Sequence, residues 1–192
     1  MRNESTEMSN NRKSKNFELG TIWMSYHNEL NYLRKLVSFE VDNNWNRAFV
    51  RSLASMIEGI SYSVRQHLLK NYENNIIELS AEEIILLKEK TIDLKDNGDV
   101  KMKDRFYGFK PMFNFTYKLY AQKNHKNLLS IDVTYDESVK QLLEVIKVRN
   151  RITHPKSGKD VFVSGAETRL ADEVFTWYHS FLFELFDGDI LN

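Results

Sequence analysis

Residues 142–157 restrict what this chain can fold into more than any other stretch. Val139, Leu142, Leu143 and Ile146 recur at three- and four-residue steps, the spacing that lines up side chains on one face of a helix. Pro155 biases His154 away from helical geometry, so the helix should end at Thr153 or His154. Arg149 continues the apolar stripe. A guanidinium cannot lose its proton to escape desolvation, so on a buried face it requires a partner. Asp132 or Asp136 is expected to cap the start of this helix.

The rest of the chain reads the same way. Leu19, Ile22, Trp23, Tyr26, Leu30, Leu33 and Val37 predict a first helix over about 17–40. A turn at Val41, Asp42, Asn43 and Asn44 leads to a second helix over about 45–72. Its apolar face carries Trp45, Phe49, Leu53, Met56, Ile57, Ile60, Val64 and Leu68. Beside it Ala48, Ser52, Ser55, Gly59 and Ser63 form a small-residue stripe, suited to close approach by another helix. Glu58 lies on a third face with Arg51, Tyr62 and Arg65. On the residues alone it is expected to form an exposed pair within its own helix.

Ser80 and Glu83 have the spacing of a capping box and predict a short helix ending near Lys90. Ile92, Leu94, Val100 and Met102 then alternate around Asp96-Asn97-Gly98. A three-residue loop with Gly98 left-handed brings Leu94 opposite Val100 and Ile92 opposite Met102, whereas a two-residue loop would split the apolar set between faces. The aromatic-rich stretch from Phe106 to Lys123 is expected to be helical after Pro111 and to serve as core rather than as a base-stacking platform. A last helix from about Ala166 to Phe186, ended by Gly188, is apolar around most of its circumference and needs two buried surfaces, the domain core and either a dimer partner or the inserted segment.

These readings give a mainly α chain: a polar, disordered tail over 1–16 and a single helical domain over 17–192, interrupted by an insertion over about 76–132 with a small β-hairpin and helical segment. Its 192 residues and 42% hydrophobic content support one globular core. The absence of cysteine excludes disulfides, thiolate metal sites and cysteine nucleophiles. No metal or cofactor motif is present: the histidines lack ligand spacing, Lys95 stands where a calcium loop needs an oxygen, and the glycines form no phosphate loop. No signal peptide or run long enough for a membrane helix appears, so a cytoplasmic protein without membrane contact is expected.

Lys plus Arg equals Asp plus Glu at 27 each, so overall charge says nothing about nucleic acid. Between residues 140 and 160, however, Lys140, Lys147, Arg149, Arg151, Lys156 and Lys159 face only Glu144 and Asp160. Such a local excess is what a phosphate site needs.

Arg149-Asn150-Arg151-Ile152-Thr153-His154 has the form R-N-x-x-x-H and resembles the signature of the HEPN superfamily of helical domains, many of which are metal-independent RNases. The following Pro155-Lys156-Ser157, Asp160, Val163-Ser164 and amphipathic helix are similar to the spacing in bacterial members. The resemblance implies an up-and-down helical bundle, a homodimer through the final helices and an endoribonuclease acting as a toxin or phage-defence effector, with an antitoxin or regulator as a further partner. His154 would take the ribose 2'-hydroxyl proton, Arg149 would donate to phosphate oxygens and Asn150 would orient the imidazole or substrate. Arg151, Lys147 and Lys156 would bind phosphate, and Glu58 would be the partner that supports Arg149, since members often carry an acidic residue in the corresponding helix near the motif arginine; the competing expectation is the exposed pair within its own helix. The chain departs from toxins paired with a small nucleotidyltransferase antitoxin, where a tyrosine follows the histidine; Pro155, Lys156 and Ser157 stand there. The alternative is a non-catalytic RNA-binding or regulatory module, in which Arg149 pairs with an acid and His154 closes its helix through a backbone carbonyl.

Overall fold

Apolar residues at helical spacing, with no interior proline in the longest runs, make this a mainly helical protein with one small sheet. A computed structural model describes residues 3–37, 43–132 and 134–186. Its elements are α1 (Asn3–Leu36), α2 (Asn43–Glu73), α3 (Ala81–Leu87), β1 (Lys90–Leu94), β2 (Val100–Asp104), α4 (Phe109–Lys123), α5 (Leu128–Ile131), α6 (Tyr135–Thr153) and α7 (Gly165–Leu185). None of the described helices is long and apolar enough to cross a membrane.

The segment expected as a disordered tail is helical from Asn3, as part of α1. It contains no glycine or proline, and once a helix has nucleated, adding each further residue costs little. The chain also divides into two compact units, Met1–Ile60 with Leu128–Asn192, and Ser61–Asn127, rather than one domain with an insertion from about 76. The boundary falls inside α2 because the C-terminal half of that helix serves a separate core. Its Val64, Leu68 and Leu69 are buried, as are Met112, Phe113 and Tyr117 of α4, and the Ser61 hydroxyl lies 3.2 Å from that of Tyr117.

In the first unit Trp23, Leu30 and Leu33 of α1 are buried, as are Phe49, Leu53, Met56, Ile57 and Ile60 of α2. Each such side chain contributes roughly 1.5–3 kcal/mol by leaving water. Trp45, expected on the same face, is instead 40% exposed in the first turn of α2. Tyr26 meets the small-residue stripe at Gly59 and Glu29 accepts from the Ser52 hydroxyl, so α1 is the helix that the stripe admits. The expected turn at 41–44 falls partly outside the described residues, and Asn43 and Asn44 already belong to α2.

The final helix packs on other elements of its own unit. Phe175 packs near His27 and Phe49, while Trp177 stacks on Phe181, approaches Tyr135 and donates its indole N–H to Asp132 at 2.6 Å. Of the apolar set Leu170 and Trp177 are half-buried and Phe183 is 47% exposed. Ser164 caps α7 through a reciprocal box with Glu167; Gly188 lies outside the described residues.

The second unit follows its sequence closely. Ser80 and Glu83 form the expected capping box, and Phe113 and Tyr117 are core. The hairpin pairs Ile92 with Met102 and Leu94 with Val100, with Gly98 at φ +84° in the three-residue loop.

Trp23 and His27 of α1 and His179 of α7 cluster with ring centroids 4.9 to 5.1 Å apart. Burial lowers the pKa of both imidazoles, and that of His179 falls further because a charged His27 would repel it. Below the ordinary value of 6.5 the unfolded chain therefore binds protons that the folded chain refuses, so stability is lost as pH falls from there toward the folded values. The melting temperature should drop between about pH 7.5 and 5.5 by more in wild type than in His27→Phe, as scanning calorimetry would record. An equal drop in the two would locate the pH sensitivity elsewhere.

Candidate functional site

The site is built on the C-terminal half of α6 and the loop that follows. Thr134 precedes the helix without a side-chain cap bond. Neither expected carboxylate caps it: Asp136 lies in the first turn, and Asp132 accepts from the Thr134 amide and hydroxyl and from Trp177. Partial burial works against ionisation of Asp132, but these three donors outweigh it and hold its pKa below the usual carboxylate value. At the other end the His154 amide donates to the Asn150 carbonyl at 3.0 Å, and with φ −124° and ψ 61° the chain leaves the helix ahead of Pro155.

Arg149 lies where α6 meets α2. Its Nη2 pairs with the Glu58 carboxylate, and its Nε is buried without a hydrogen-bond partner. The side chain is 23% exposed, so the guanidinium sits at the edge of the core. Glu58 is thus the partner of Arg149 and not of a neighbour in its own helix. Arg51, seven residues earlier and on the same face of α2, donates to the Ile152 carbonyl at 2.9 Å. As the chain advances along α2 from Arg51 to Glu58, their partners retreat along α6 from 152 to 149, so the helices run in opposite senses here. The seven-residue spacing, which returns a helix to nearly the same face, is the sequence signal for Arg51 acting beside Glu58.

Asn150 and His154 are one turn apart and exposed, and neither side chain has a partner among the described residues. They are the open polar groups of the motif. Lys156 is exposed and its amine is unpaired among the described residues, whereas Lys147 pairs with Glu144 on the surface. Because an exposed pair of this kind is worth about 0–1 kcal/mol, Lys147 remains available to a phosphate.

Arg151, expected to bind phosphate, is committed elsewhere. Its guanidinium donates to the carbonyls of Asp160 and Phe162 at 3.2 and 2.7 Å and to Glu167 at 2.6 Å. The loop is pinned twice more. Asp160 accepts from the Lys156 and Ser157 amides at 2.9 and 2.8 Å, and the Asn43 amide exchanges two hydrogen bonds with the backbone of Val163. Asp160 has its pKa lowered chiefly by the Lys156 amide, with help from Ser157 and the Arg151 charge.

These pairings shrink the local basic excess. Lys140 pairs with Glu137, Lys147 with Glu144, Arg149 with Glu58 and Arg151 with Glu167. Three of those acids lie outside residues 140–160, where a window along the sequence could not count them. Among the described residues, His, Asp and Glu form no cluster of three or more that would hold a metal ion.

No protein-family model, curated protein or solved structure matches this chain.

The clamp has a measurable consequence. Arg151→Met leaves carbonyls and a carboxylate without their donor and should cost about 1–3 kcal/mol in denaturant unfolding. Asp160→Ala should accelerate hydrogen exchange at the Lys156 and Ser157 amides by about tenfold or more with little change in global stability. Acidification should reproduce this only as the pH falls through a value below the usual carboxylate range, since the stabilising form is the charged one. Unchanged exchange in Asp160→Ala would show that the loop is held without this carboxylate.

Proposed function

We propose that this chain is a HEPN-like, metal-independent endoribonuclease. The observation that carries the reading is the pair of unengaged side chains, Asn150 and His154, one turn apart on the exposed end of α6, next to the partly exposed Arg149. In the proposed reaction His154 removes the 2'-hydroxyl proton of a ribose, and the oxygen attacks the adjacent phosphorus to give a 2',3'-cyclic phosphate. Arg149 donates to the phosphate oxygens as negative charge builds, exchanging part of its contact with Glu58 for the substrate. Asn150 orients the imidazole or the substrate, and Lys147 and Lys156 draw in the RNA backbone. Protonation of the leaving 5'-oxygen falls to the second histidine of a homodimer. The biological setting we propose is cytoplasmic, a toxin or defence effector in a bacterial or phage conflict system, restrained by an antitoxin or regulator.

A second reading has its own support. Arg149 already has a carboxylate partner and Arg151 is occupied in the loop clamp, as in a helical RNA-binding or regulatory module that keeps the motif for architecture.

Purified protein incubated with mixed RNA in chelator should cleave it and leave cyclic-phosphate ends. His154→Ala should reduce the rate by about 10²- to 10⁴-fold with unchanged circular dichroism. Arg149→Ala should cause a comparable loss. Folded wild type that binds RNA without cleaving it, or cleavage that survives His154→Ala, would remove the nuclease reading and leave the module.

A further inference from the structure

The hairpin is inside out. In a two-stranded sheet successive side chains alternate between faces, and the apolar face normally packs on the protein while the polar face meets water. Here Ile92, Leu94, Val100 and Met102 share one face and are 57, 71, 68 and 49% exposed, while on the opposite face Thr91 and Asp93 of β1 are half-buried and Lys101 and Lys103 of β2 are exposed. Phe106, two positions beyond the end of β2, is 85% exposed. The register that gathers the apolar residues on one face is fixed by the pairs Ile92 with Met102 and Leu94 with Val100 and by the Gly98 turn. The patch is therefore a built feature of the hairpin. Isolated two-stranded hairpins are marginal in water, and this one has its main adhesive surface uncovered.

We propose that this face is the contact for a second copy of the chain, two hairpins stacking face to face across a two-fold axis as a four-stranded sandwich. The area fits. Side chains this exposed offer on the order of 600 Å² of apolar surface, at the upper end of what a monomer leaves open and near the ~800 Å² per partner of a standard interface. The charge fits as well. The charged residues on this face are Lys90 and Asp104, one of each sign and paired with each other, so an identical face meets no net repulsion. The same neutrality gives RNA or an anionic bilayer nothing to recognise, and Asp96 and Asp99 at the tip oppose insertion into lipid. Sheets stacked this way sit about 10 Å apart, close enough for the Leu94–Val100 and Ile92–Met102 pairs of both copies to interdigitate. The inference stands apart from the ribonuclease reading, since the hairpin belongs to the second unit and the motif to the first.

Sedimentation or light scattering on the full chain tests it by mass alone. Leu94→Glu and Met102→Glu, each placing a carboxylate on the apolar face, should weaken association by about 100-fold or more and halve the assembled mass at the same concentration. Their circular dichroism should match wild type, because both side chains are exposed in the single chain. Lys101→Glu, on the opposite face, should leave the mass unchanged. In wild type, hydrogen exchange over residues 90–104 should slow as protein concentration rises, a readout that needs no variant. A wild-type chain of single-chain mass, hairpin exchange independent of concentration, or an assembly that tolerates both glutamates would overturn the proposal.

Discussion

A guanidinium can satisfy several acceptors at once in a fixed plane, and at Arg151 that property joins three parts of the first unit. From the last turn of α6 it reaches the carbonyls of Asp160 and Phe162 and the carboxylate of Glu167. Glu167 is also the residue that completes the cap of α7. One side chain thus couples the end of one helix, the path of the loop and the start of the next helix. Whatever His154 does, it does from a position that this clamp defines.

The other motif cation is balanced differently. Arg149 is held at the edge of the core by a single carboxylate, with its Nε unpartnered. A half-buried charge paired on one side only is costly to leave and available to a better anion, so Glu58 can be read as architectural support or as a placeholder for phosphate. The exposed Asn150 and His154 favour the second view, and the neutralised surroundings of the motif favour the first. The proposed chemistry needs only that phosphate compete with a carboxylate that is itself 43% exposed.

The two units differ in how they treat apolar surface. The first buries most of the apolar residues of α7 against α1, α2 and α6. The second leaves the apolar side of its hairpin open. The contrast lies in the hairpin, whose apolar side is the largest exposed apolar group of the second unit's strands.

Local physics was legible in the residues themselves. The helix periods, the capping box at Ser80, the three-residue hairpin loop with its left-handed Gly98 and the end of α6 before Pro155 all follow from interactions a few residues apart. That Arg149 needs a partner was readable, because a cation on an apolar stripe demands an acid; that the partner is Glu58 came from the resemblance and from the structure, not from the spacing. What only the tertiary structure decided is which charges remain free. Arg151 and Lys156 are alike in sequence terms, yet one is consumed by groups 9 to 16 residues away and the other is not. The division of α2 between two cores and the outward turn of the hairpin were likewise beyond the sequence. Periodicity says which side chains share a face, while the direction that face points is set by what packs against it.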